Sequence, residues 1–189
     1  GTSTVGLGAT TSCEWINLAS DPASDEIILL ERTSSGKFFA AVWNGNSWGS
    51  TTTIGQQQET GNEGGDVEYE ESGNQAIVVV ATPITTATLQ MRSTFWNGSA
   101  WSAASSTTLG DHAEWLSLKR DKGSDNMALC YIDNDTDIGT LRWDGNYWRV
   151  PAAVVEHTTT GNSKLGRSVD CDFENTTGRD GNILTVYTT

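Results

Sequence analysis

Four short segments of the chain are apolar at nearly every position, and each is preceded by turn residues. They begin at Glu26 (EIILLE), Gln75 (QAIVVVA), Asn126 (NMALCYI) and Asn182 (NILTVYT). Strands apolar on both faces belong in the interior of a fold, covered from both sides. A further strand precedes each run, starting at Trp15, Val67, Trp115 and Val169, with spacings of 52, 48 and 54 residues. Three of these four starts follow an acidic residue, namely Glu14, Asp66 and Glu114. After the first three runs comes a recurring phrase: WNGNSW at 43–48, WNGSAW at 96–101 and WDGNYW at 143–148. Asn-Gly and Asp-Gly supply the positive φ that a tight hairpin needs, so each phrase predicts a strand, a turn and a second strand.

The chain is therefore a repeat, with units at 14–65, 66–113, 114–167 and a partial unit at 168–189. Each unit reads as strand a, polar turn, apolar strand b, turn, strand c, Asn-Gly or Asp-Gly turn, strand d. In the first unit these strands are 15–20, 26–33, 37–43 and 47–54. Four antiparallel strands in about 50 residues is the size of one β-propeller blade. A β-sandwich core needs about seven strands, and solenoid coils are shorter, about 20–30 residues. The expected architecture is all-β, a propeller-like array of about four four-stranded blades forming one domain over 1–189. Segment 2–11 falls where a d strand would lie, so the last blade is expected to be built from both termini, with 168–189 completed by 1–13. That closure lacks one c strand, which leaves either a cut piece of a longer array or an edge that another molecule supplies.

The glycine-containing turn followed by tryptophan, Gly45 to Trp48 and its two equivalents, resembles the repeats of β-propeller proteins of the kelch and Asp-box (sialidase-like) kinds. Only Asp144-Gly145-Asn146-Tyr147-Trp148 keeps the Asp of an Asp-box, and its glycine stands one position early. The double glycine of kelch is absent. The resemblance implies the architecture and names no single family.

Charge narrows the partners. With 24 acidic residues against 11 basic ones, the net charge of −13 opposes nucleic acid and anionic membranes, which require a basic face. There is no apolar run long enough for a transmembrane helix. An acidic surface rich in Thr, Ser and Asn suits the cell surface or the extracellular space. A sialidase-like enzyme would need an arginine cluster and an activated tyrosine. Here Arg32, Arg92, Arg120, Arg142, Arg149, Arg167 and Arg179 share no equivalent repeat position. His112 and His157 stand in linkers with no nucleophile motif beside them. The expectation is a non-enzyme, a glycoside hydrolase being the weaker reading.

Other candidate chemistry is sparse. Asp133, Asp135 and Asp137 alternate ahead of Gly139, as hard oxygen ligands for Ca2+ would. Ile138 stands where a calcium loop wants glycine, so a solvated hairpin turn is the competing reading, with no cofactor. Cys13 precedes the first a strand by two residues and Cys171 lies two after the start of the last, so they could bridge a blade closed by both termini; two separate thiols are the alternative. Cys130, within an apolar run, reads as a small buried hydrophobe. Asn97, Asn134 and Asn175 begin Asn-x-Ser/Thr triplets and are glycosylation candidates in a secreted protein. Six of the eight tryptophans, Trp43, Trp48, Trp96, Trp101, Trp143 and Trp148, occupy the repeated phrase. A side chain recurring in one slot of every blade packs between neighbours, whereas exposed rings would serve as sugar platforms. The sequence thus predicts a non-catalytic extracellular structural or adhesive module, a surface-layer or filament subunit that self-assembles through incomplete β edges. The alternative is a carbohydrate-binding propeller lectin with surface glycans as partners.

Overall fold

The Asn-Gly and Asp-Gly turns close through a division of labour between two residues. Gly45, Gly98 and Gly145 take the positive φ (85°, 81° and 86°), whereas Asn44, Asn97 and Asp144 do not. Each Asn or Asp instead accepts two backbone N–H groups through Oδ1: Asn46 and Ser47 at 3.0 and 2.9 Å, Ser99 and Ala100 at 3.1 and 2.9 Å, Asn146 and Tyr147 at 3.0 and 2.8 Å. Glycine at the first loop position with a following residue of ordinary φ is the pattern of a II′ hairpin turn, compatible with the twist of the strands it joins.

The computed structural model describes residues 5, 12–56, 63–73, 75–83, 89–109, 113–133, 136–149, 169–176 and 181–187. Blade one runs β1 (Cys13–Ser20), β2 (Glu26–Thr33), β3 (Lys37–Asn44) and β4 (Trp48–Gln56). Blade two follows with β5 (Gly65–Tyr69), β6 (Ala76–Pro83), β7 (Leu89–Trp96) and β8 (Ser105–Thr108). Blade three has β9 (Ala113–Arg120), β10 (Met127–Asp133), β11 (Ile138–Trp143) and β12 (Trp148–Arg149). A fourth unit consists of β13 (Val169–Phe173) paired with β14 (Ile183–Tyr187). All strand pairs are antiparallel, and the sheets are arranged like propeller blades.

Alternation along each b strand drives the stacking. Ile28 and Leu30 of β2 point at blade two and meet Ala76, Val78 and Val80 of β6. The opposite face of β6 (Ile77, Val79, Ala81) meets Met127, Leu129 and Tyr131 of β10. Ala128, Cys130 and Ile132 on the far face of β10 meet Val169, Cys171 and Phe173 of β13. Each sheet thus has a leading face toward the preceding blade and a trailing face toward the next. Every buried Leu, Ile or Val contributes about 1.5–3 kcal/mol, so the three seams carry most of the stability.

The a strands lie innermost and touch one another in succession. Their register differs from the expected alignment of Glu14, Asp66 and Glu114. Pairing with the b strands places Asn17, Asp66, Ser117 and Asp170 at one equivalent position, opposite Leu30, Val79, Cys130 and Val186. The backbone ladder, not the neighbouring acid, sets equivalence. These residues join the blades around the axis. Asp66 accepts the Asn17 amide, the Leu118 N–H at 2.7 Å and the Val67 N–H at 2.8 Å, while Ser117 Oγ donates to Asp170 at 2.6 Å.

The last apolar run departs from expectation. Leu184 and Val186 on one face of β14 are 59% and 60% exposed, and among the described residues no further sheet packs on that side. Completion of the fourth unit by 1–13 falls on residues 1–4 and 6–11, outside the described residues. Val5 itself packs on blade one, against Leu29 and Ala41 with Phe39 and Trp48.

Two substitutions test the seam between blades two and three. Leu129→Ala should cost about 2–5 kcal/mol in denaturant unfolding, because the side chain is wholly buried there. A Cβ on Gly139 would lie 2.1 Å from the Tyr131 ring carbon, so Gly139→Ala should cost about 1–3 kcal/mol.

Candidate inter-blade site

The six repeated tryptophans come together as three cross-hairpin pairs. Trp43 and Trp48, Trp96 and Trp101, and Trp143 and Trp148 have ring centroids 5.6, 5.3 and 5.6 Å apart. The two members differ in role. Trp96 and Trp143, at the ends of β7 and β11, are each 4% exposed and serve the core. Trp101 and Trp148 remain half-buried: Trp101 packs on the seam with blade one, where its indole N–H donates to the Ser50 carbonyl at 2.7 Å, and Trp148 packs on the seam with blade two. Trp43 is half-buried too, and among the described residues no sheet precedes blade one.

A carboxylate receives each buried indole across the seam. Trp96 Nε1 donates to Glu26 Oε1 at 2.6 Å, and the Tyr69 hydroxyl donates to the same oxygen at 2.8 Å. One blade later, Trp143 Nε1 donates to Glu70 Oε1 at 2.9 Å, joined there by the Gln75 amide at 2.9 Å. A buried indole N–H without an acceptor is costly, so these carboxylates fix the angle at which one blade meets the next. Burial pushes the Glu70 carboxyl above its ordinary value, against the two donors that pull it down. Glu68, two residues earlier on β5, is likewise raised by burial. The Tyr69 hydroxyl is raised by burial and by its bond to Glu26. Glu26, Glu70 and Gln75 were invisible as a set in the sequence, where they stand among turn residues. The signal available was an acid or amide within the a–b turn of every unit.

Between the hairpins of blades two and three this seam opens into a groove of about 390 Å³. Phe95, Trp101 and Trp143 form its apolar wall, and Asn97, Ser102, Gln75 and Asn146 its polar rim. Phe95 and Trp143 pack with ring centroids 5.0 Å apart and planes tilted by 31°. The equivalent groove between blade three and the fourth unit, of about 530 Å³, is lined by Asp121, Lys122, Asn126, Arg142 and Asn175. Arg142, at the position of Phe95, donates to the Gly181 carbonyl at 3.5 Å. The first groove suits a ligand with both apolar faces and hydroxyls, and the second suits a polar one.

The remaining sequence-predicted sites are placed as follows. Cys13 is exposed on β1, Cys130 and Cys171 are buried, and all three are free thiols. The expected Cys13–Cys171 bridge is not formed: Cys171 faces blade three, its sulfur 3.8 Å from the Ser117 carbonyl oxygen. Asp133 Oδ1 accepts the Asp137 N–H at 2.8 Å, and Asp133 N donates to the Asp137 carbonyl at 3.0 Å. Those bonds close the b–c hairpin; Asp135 and Asn134 lie outside the described residues. Asn97 spends its Oδ1 on its own turn. Asn175 is exposed just past β13.

No known family profile matches the chain, and no curated protein is a significant relative. Solved structures are similar in fold. The six-bladed fungal lectin from Aleuria aurantia is 16% identical, with a TM-score of 0.49 over 82% of this chain and 50% of that one. A mutant of that lectin in complex with Fucalpha1-6GlcNAc is 15% identical, with a TM-score of 0.50 over 86% of this chain and 51% of that one. A fucose lectin from Kordia zhangzhouensis is 16% identical, with a TM-score of 0.43 over 73% of this chain and 99% of that one. The chain spans about half the length of the Aleuria lectin chains it matches. At such identities the likeness is one of fold. The propeller architecture holds, while the solved neighbours are lectins and not kelch or Asp-box proteins.

Because the Glu68 and Glu70 carboxyls are raised in the folded state, protonation favours folding. Their stabilising contribution is complete at pH below the ordinary Glu value and is lost as pH rises through the raised values. The melting temperature should therefore rise as pH is lowered from 7 toward 5. Glu70→Gln, which keeps an acceptor for Trp143 without the buried charge, should raise the melting temperature at pH 7 and flatten part of that rise.

Proposed function

We propose that the chain is a non-catalytic carbohydrate-binding module of the propeller lectin type, acting at the cell surface or outside the cell. The observation that carries the reading is the groove between blades two and three. Half-buried Phe95 and Trp101 give the groove aromatic surface for the C–H side of a sugar ring, and Asn97, Ser102, Gln75 and Asn146 offer donors and acceptors for hydroxyls. Nothing in that lining is a charged side chain, and the surface as a whole is acidic, with a net charge of −13. Both favour neutral over anionic saccharides. The lectin that shares this fold and holds a fucosylated disaccharide supports the same class of ligand. No acid-base pair is required for this role. The self-assembling structural reading draws no comparable support from the comparisons and is not the principal one.

A glycan array probed with the purified chain should give hits among neutral glycans that free sugar competes away. Monovalent affinity should be about 0.1–1 mM, the range of a shallow site with few fixed hydrogen bonds. Asn146→Ala on the exposed rim and Trp101→Ala in the wall should each weaken binding about tenfold in calorimetry, with folding checked by circular dichroism. An array without any sugar-competable signal, or variants that bind like the wild type, would overturn the assignment.

A further inference from the structure

We infer that the groove between blade three and the fourth unit is a saccharide site of its own, selective for sugars that carry a carboxylate. It goes beyond the neutral groove between blades two and three and shares no lining residue with it. One slot near the end of each c strand faces the following unit, and its occupant changes from blade to blade. Val42 fills it in blade one, Phe95 in blade two and Arg142 in blade three, opposite Ile28, Ile77 and Ala128. Two blades use an apolar side chain, so packing does not call for a guanidinium there. Arg142 is half-buried and donates to the Gly181 carbonyl at 3.5 Å. Arg32, Arg120 and Arg149 each pair with a carboxylate, Arg149 with Asp144 at 2.5 Å. Arg142 pairs with none among the described residues.

The charges around Arg142 favour an anion. Arg149 stands directly opposite it in the ladder, where like charges repel. Lys122 joins Arg142 in the lining and is exposed. Among the described residues one carboxylate lines the groove, that of Asp121, and it is turned onto its own a–b turn. Its oxygens accept the Gly123 N–H at 3.1 Å and the Ser124 hydroxyl at 2.7 Å. Asp21 binds Ala23 and Ser24 in the same way in blade one, so Asp121 serves to close the turn. Glu174, beside the groove, accepts the Asn182 amide at 3.2 Å. Two cations against one carboxylate leave the lining with a positive charge, in a chain whose net charge is −13. Exposed acidic groups farther than about 8 Å are screened at physiological salt, so the local cations govern a ligand seated here. A guanidinium fork holds a carboxylate through two parallel hydrogen bonds. Asn126 and Asn175 supply amides for sugar hydroxyls, and the volume of about 530 Å³ admits one or two sugar rings.

Calorimetric titration of the purified chain with glucuronate, sialyllactose and a sulfated glucose tests this, with glucose and lactose as neutral controls. The two carboxylated sugars should bind at about 0.1–1 mM, and about tenfold tighter than glucose and lactose. Raising the salt from about 0.05 to about 0.5 M should weaken that binding several-fold. Arg142→Gln should weaken glucuronate binding about tenfold and erase the preference over glucose. Lys122→Ala, which removes an exposed side chain and leaves the fold intact, should weaken it about threefold. Asn146→Ala, on the rim of the other groove, should leave glucuronate binding unchanged, so a failure of the neutral site and a failure of this one are told apart. Carboxylated sugars that bind no tighter than the neutral controls overturn the inference, as does glucuronate binding that survives both Arg142→Gln and Lys122→Ala. Sulfated glucose binding as tightly as glucuronate overturns the selectivity for a carboxylate. Acetate or inorganic sulfate competing as well as the sugar overturns the saccharide assignment and leaves a site for free anions only.

Discussion

One contact holds this molecule together: the apolar trailing face of a small twisted sheet pressed on the leading face of the next, pinned at its outer end by an indole donating to a carboxylate. A four-stranded sheet of this size cannot bury both its faces alone. Stacking supplies the burial, and the b strands, apolar on both sides, become the centre of two seams at once. β6 shows the result in full, with Ala76, Ile77, Val78, Val79 and Val80 all at 0% exposure. Hydrophobic burial is nondirectional, so it does not by itself set the fan angle. The directional bonds do that work at two radii. Near the axis, Asp66 gathers donors from blades one and three, and at the rim, Glu26 and Glu70 hold Trp96 and Trp143.

The groove is a by-product of the same geometry. Sheets that diverge from an axis separate toward the rim, and the c–d hairpins project there. In the pairs of blades two and three one ring, Trp96 or Trp143, is buried in the seam, and the other, Trp101 or Trp148, packs half-buried beside it. Blade two offers Phe95 at the position where blade three has Arg142, so successive grooves differ in chemistry. A repeat protein thus keeps its frame constant and varies recognition through single positions on that frame.

Much of this was legible in the sequence, for physical reasons that particular residues display. Period-two patterning and the spaced Asn-Gly pairs located β1 to β4 within two residues of their observed ends, since turn chemistry is local. The repeated tryptophans announced the blade unit. Partners distant in the chain were not legible: Glu26 and Trp96 are separated by 70 residues, and Glu70 and Trp143 by 73. Nor was the a-strand register, where Asp66 looked like a counterpart of Glu14 until its pairing opposite Val79 aligned it with Asn17. The apolar run in β14 was read as interior because sequence records the nature of a face and not whether a neighbour covers it.

The measurement closest to the centre of this account is a double-mutant cycle between Glu70 and Trp143. Unfolding free energies of Glu70→Ala, Trp143→Phe and the double variant isolate the indole–carboxylate bond from the packing around it. A coupling of about 1–2 kcal/mol at pH 7 is expected for a buried, charge-assisted bond across the seam. Strict additivity of the two single effects would contradict it, because the blades would then be held by apolar contact alone.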